Sequence, residues 1–82
     1  MHMAAAPDWG DVQIRLSDPG RLPQLRAFLA FDHDAHVIIT GDDELEVWFV
    51  GSRNAWAQVR ETELRLRAWM RWHPDVIATL IP

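Results

Sequence analysis

Apolar and polar residues alternate near the start of the chain, with Val12, Ile14 and Leu16 on one side and Gln13 and Arg15 on the other. A period of two marks a strand with one buried face, here expected from Asp11 to Leu16. Asp18-Pro19-Gly20 then suits a tight turn, because proline presets φ and glycine is free to take positive φ. Beyond it the period lengthens. Leu22, Leu25 and Leu29 recur at helical spacing, flanked by Phe28. Proline is tolerated only in the first helical turn, so Pro23 implies a helix with Gly20 as its N-cap and an end near Phe31.

The polar connection "DHDAH" leads into two β-rich runs, "VIIT" and "ELEVWFVG", separated by the hairpin signal Gly41-Asp42-Asp43. Leu45, Val47 and Phe49 are expected to face the core, with Glu46, Trp48 and Val50 on the other side. Ser52 or Asn54 can cap the helix that follows, which should run to about Trp72 and stop at His73-Pro74. The closing "DVIATLI" reads as a short strand, with a short helix opened by Pro74 as the alternative. The order β-α-β-β-α-β predicts an α+β, ferredoxin-like domain, a four-stranded antiparallel sheet with both helices on one face. Residues 9–82 form this single domain. Residues 1–8 read as a disordered leader, and Met1-His2-Met3 looks partly like a cloning remnant.

Turning the second helix by about 100° per residue gathers Ala55, Val59, Leu66, Trp69 and Met70 into the stripe expected to meet the sheet. Ala57, Leu64, Ala68 and Trp72 fall nearly opposite, where a sheet-covering helix should be polar. They are either scattered surface apolar residues or a contact surface. The open sheet face should carry Gln13, Arg15, Trp48 and Ile38 or its neighbours. Trp48 there could serve a nucleic-acid stacking platform, but a second copy covering the sheet is the preferred reading. Candidate interface residues are therefore Trp48, Leu64, Ala68 and Trp72.

Composition narrows the chemistry. The 82 residues carry a formal net charge of −4 and no cysteine, which excludes disulfides and thiolate chemistry. No apolar run approaches the roughly 20 residues of a membrane span, and with no signal-peptide pattern the expected location is the cytoplasm. Arg53, Arg60, Arg67 and Arg71 line one flank of the second helix and could track phosphates. Glu61–Arg65 and Glu63–Arg67 pairs at i,i+4 would weaken that field, so a solvated edge is favoured over a nucleic-acid surface.

Asp32, His33, Asp34 and His36 contain ligand types suited to transition metals, but a polar connection explains them, and no metal or cofactor is expected. Asp42, Asp43 and Glu44 lack calcium-loop spacing. No serine or threonine sits in a nucleophile context, and the four glycines are too scattered for a phosphate loop. A non-enzyme is expected.

"VQIRLSDPGRLPQLRAFL" resembles the start of an ACT domain, the small ligand-sensing module attached to many enzymes and regulators of amino-acid metabolism. That family runs its first strand into a D-x-P-G turn and a leucine-containing helix, a pattern matched by Pro19, Gly20 and Leu22. The resemblance implies that backbone around Gly20 helps to bind an amino-acid ligand where two domains pair. Asp18, Gly20 and Arg21 become the candidate ligand-binding residues. The expectation is a self-associating regulatory domain, a homodimer that senses a small metabolite. The alternatives are a protein-interaction module using Leu64, Trp72 and the sheet face, or nucleic-acid binding through Arg60, Arg67 and Arg71.

Overall fold

A computed structural model describes residues 12–52 and 54–81. The expected leader at 1–8 lies outside the described residues, as do Asp11 and Arg53. Strands β1 (Val12–Leu16), β2 (Ala35–Ile39), β3 (Glu44–Phe49) and β4 (Ala78–Ile81) form one sheet in the order β2-β3-β1-β4. Each neighbouring pair is antiparallel. Helices α1 (Leu22–Ala30) and α2 (Ala55–Trp72) supply the two crossovers of a ferredoxin-like arrangement. Among the described residues, no helix is long and apolar enough to cross a membrane.

The period-two pattern of β1 puts Val12, Ile14 and Leu16 inside, and Leu45, Val47 and Phe49 of β3 join them. Leu22, Leu25 and Leu29 of α1 and Leu66 and Trp69 of α2 bury into the same cluster, so both helices cover one sheet face. Val50, expected on the open face, lies just past the end of β3. β2 begins two residues before "VIIT", because Ala35 pairs with Phe49 and His36 with Trp48. Residues Ala78 to Ile81 are a strand, paired along β1.

The stripe expected to bury on α2 is corrected in its first half. Ala55 and Val59 are exposed, and the buried positions are Gln58, Thr62, Leu66 and Trp69. Gln58 is inside because its amide closes off the backbone where β3 ends. Its Oε1 accepts from the Phe49 N–H at 2.8 Å, and its Nε2 donates to the Phe49 carbonyl at 2.7 Å and the Ser52 carbonyl at 3.1 Å. Thr62 Oγ1 donates to the Gln58 carbonyl at 2.8 Å, leaving no hydroxyl unmet in the core. Of the two N-cap candidates, Asn54 is the one used, its Oδ1 accepting from Ala57 N at 2.9 Å.

Candidate functional site

The turn after β1 differs from the expected helix start. Pro19–Arg21 is a single 3-10 turn capped by Asp18, and α1 begins at Leu22 with Arg21 as its N-cap and Pro23 in the first turn. Asp18 Oδ1 accepts from Gly20 N at 3.0 Å, and the Asp18 carbonyl accepts from Arg21 N at 3.0 Å. Capture of the Gly20 amide by Asp18 moves the α-helical N-cap one residue on, from Gly20 to Arg21. Gly20 does not take positive φ; a Cβ there would meet Asp18 Oδ1 at 3.3 Å, so its smallness serves the close turn.

Arg21 reaches across to the far end of α2. Its Nη2 donates to Asp75 Oδ2 at 3.0 Å, its Nη1 lies 3.0 Å from His73 Nδ1, and its Nε lies 3.8 Å from Asp18 Oδ2. A guanidinium only donates, so His73 Nδ1 is the acceptor in this contact. The three predicted ligand residues Asp18, Gly20 and Arg21 thus come together, and His73 and Asp75 join them. The joining residues lie 52 and 54 positions from Arg21, too remote for local sequence to reveal.

Beside this cluster a groove of about 650 Å³ runs between α1 and α2. Its walls are Ala27, Phe28 and Phe31 from the first helix and its cap, with Trp69 and Trp72 from the second. Phe31 and Trp72 are 92% and 82% exposed, large aromatic surfaces on opposite banks. Trp69 is buried and stacks on His73 with ring centroids 4.3 Å apart. Gln24 and His73 stand where α1 begins and α2 ends; Asp32 and Arg65 stand at the other end. The pairs Arg21–His73 and Asp32–Arg65 bind the helices antiparallel and close the groove at each end with polar groups.

Arg65 is under-satisfied. Both of its carboxylate partners, Asp32 at 2.7 Å and Glu61 at 2.8 Å, sit on Nη2. Nε is buried without a hydrogen-bond partner, and the guanidinium carbon lies 4.9 Å over the Phe49 ring. The Glu61–Arg65 pair follows from i,i+4 spacing. The link to Asp32 does not, since it depends on how the two helices pack.

Apart from Trp72, the remaining candidates lie outside the groove. Leu64, Ala68 and Trp72 are exposed on α2, as their spacing predicts. Trp48 is half-buried on the open sheet face, stacked on His36 with centroids 5.0 Å apart. Ile38 and Gln13 share that face, and Arg15 donates to Glu44 Oε2 through Nη2 at 2.6 Å. The Glu44 hydrogen bond, then its charge, raises the Arg15 pKa, so this cation persists at any working pH. His36 belongs to the sheet, while Asp32 holds Arg65 and the Asp34 amide. Among the described residues no group of three metal-ligating side chains converges. Arg60 lies over the Trp56 ring at 5.9 Å.

No protein-family model matches the chain, and no curated protein and no solved structure is significantly similar to it.

Proposed function

We propose that the protein is a small, non-catalytic regulatory domain that acts in the cytoplasm, self-associates and binds a small metabolite in the groove between α1 and α2. The observation that carries this reading is the groove itself. Its volume of about 650 Å³ lies within the range of small-ligand sites. Its aromatic walls and few polar groups at the ends are the composition such sites use. The ACT-like turn fits the same reading through Arg21, which connects Asp18 and Gly20 to His73 on the groove wall. Self-association uses the open sheet face, where Trp48, His36 and Ile38 offer apolar surface.

A second reading, a protein-interaction module without a small ligand, is favoured by the exposed apolar residues Leu64 and Ala68, which lie on the same helix as Trp72 of the groove. Nucleic-acid binding is the least supported, given a net charge of −4.

Thermal-shift screening against small metabolites, with sedimentation of the same samples, tests the reading. The proposal expects a compound that raises Tm in the wild type and not in Trp72→Ala, and a dimer weakened by Trp48→Ala. A blank screen over a dimer lost in Trp72→Ala supports the interaction module instead.

A further inference from the structure

We infer that the groove between α1 and α2 takes an organic cation, a protonated amine on an apolar body. The inference rests on the groove being a ligand site and names the class of ligand.

The walls favour positive charge. Phe28, Phe31, Trp69 and Trp72 line the groove, with Phe31 and Trp72 open on opposite banks. The face of an aromatic ring is negative, so it attracts an ammonium group, most strongly on tryptophan. The protein uses the same attraction twice outside the groove, with Arg60 over the Trp56 ring and Arg65 over the Phe49 ring.

Acids outnumber arginines at both ends. At one end Arg65 faces Asp32 at 2.7 Å and Glu61 at 2.8 Å, and Asp34 shares the adjoining recess with them. At the other end Arg21 has Asp75 at 3.0 Å and Asp18 at 3.8 Å. Each guanidinium is matched by more than one carboxylate, so the summed charge at each end is negative. Arg65 is the single arginine among the described residues that line the groove. Arg67 lies instead beside β4, with Thr79 and Leu80, and Arg60 lies over Trp56. An incoming carboxylate would meet acids in excess at both ends; an incoming ammonium would offset them.

Asp32 can make the direct contact. It lines the groove, and its side chain is 28% exposed. Oδ2 accepts from Arg65, and Oδ1 accepts from the Asp34 amide at 2.9 Å. A carboxylate has about four lone-pair sites, so each oxygen has room for a further donor, and an ammonium group brings three hydrogens. A hydrogen bond between opposite charges is of the strong kind. Gln24, at the opposite end, adds a carbonyl acceptor. The span from Gln24 to Phe31 is about 10 Å at the helical rise of ~1.5 Å per residue, which holds one or two fused rings and a short aminoalkyl arm.

Calorimetric titration of the full chain with tryptamine, tryptophol and indoleacetate tests this, since one indole then carries a cationic, a neutral or an anionic arm. Tryptamine should bind saturably, and the other two at least about tenfold more weakly, the factor that a hydrogen bond to a charged group contributes. Added salt should weaken tryptamine and leave tryptophol unchanged. Asp32→Asn should bring tryptamine down to the level of tryptophol; Glu61 still holds Arg65 in that variant, and the asparagine keeps an oxygen for the Asp34 amide. Trp72→Ala, at an exposed position, should weaken tryptamine and leave the fold intact. Tryptophol or indoleacetate binding as tightly as tryptamine, yet weakened by Trp72→Ala, would overturn the ligand class while leaving the groove as a site. A preference for tryptamine that survives Asp32→Asn in full would overturn the assigned contact. Tryptamine binding indifferent to Trp72→Ala would overturn the class and the site together. No binding by any of the three would overturn the class, and the thermal-shift screen would then decide the groove.

Discussion

Gln58 holds Phe49 by both ends of its amide, accepting from the Phe49 N–H at 2.8 Å and donating to the Phe49 carbonyl at 2.7 Å in the interior. The contact imitates one more strand partner at the point where β3 leaves the sheet. The Phe49 carbonyl also accepts from Ser52 N at 3.1 Å, so among the described residues the Phe49 N–H is the group that leans most on Gln58. Gln58→Leu should therefore destabilise the fold by about 2–3 kcal/mol, the consequence of an unmet buried donor and a lost pair of bonds. Gln58→Glu should do at least as much harm, since it keeps the acceptor but buries a charge. Urea denaturation of the two variants checks both values.

Two tryptophans three residues apart on α2 should respond oppositely to truncation. Trp69 is 3% exposed and Trp72 is 82% exposed. Trp69→Ala is expected to cost about 3–5 kcal/mol, as for other large buried aromatics. Trp72→Ala should stay within about 0.5 kcal/mol of the wild type. A large loss of stability from Trp72→Ala would place that ring in the core instead of on the bank of the groove.

Gly20→Ala tests why a glycine stands in the turn. The backbone there needs no positive φ, and the added methyl meets only Asp18 Oδ1 at 3.3 Å, the end of a half-exposed side chain. Stability should change by less than about 1 kcal/mol, with the gain in unfolded-state rigidity offsetting the crowding. A loss well above that, read from thermal unfolding, would mean that the turn cannot yield.

The Arg21 cluster fastens α1 to the loop before β4, and its ionic contacts are partly exposed. Arg21→Gln should cost no more than about 1 kcal/mol globally. Its larger effect should be local: amide exchange at Val76 and Ile77 should quicken, since Val76 N donates to His73 O and Ile77 N to Ser17 Oγ. Unchanged exchange at both amides would show that Arg21 does not fasten this loop.

Periodicity made the sheet and the first helix legible. Val12, Ile14 and Leu16, and Leu45, Val47 and Phe49, bury as alternation requires, because a strand between helices and solvent has one apolar face. The same rule failed on the first half of α2, where Gln58 and Thr62 are buried for their hydrogen bonds and not their hydrophobicity. The turn residues Asp18, Gly20 and Arg21 were legible as a unit, but their partners His73 and Asp75 were not, nor was the pairing of Asp32 with Arg65. Those contacts depend on how α1 lies against α2. Phe28, Phe31 and Trp72 were visible as apolar residues, yet that they share one groove follows only from the tertiary structure.

The tryptophans offer a map of the surface, because Trp48 reports the open sheet, Trp56 the start of α2, and Trp69 and Trp72 the groove. Indole N–H resonances followed by two-dimensional NMR during titration with a compound that raises Tm in the thermal-shift screen test most directly whether the groove is where the protein binds. The account predicts that the Trp69 and Trp72 signals move together and saturate while those of Trp48 and Trp56 stay in place. Movement of Trp48 with Trp69 and Trp72 unchanged would contradict it.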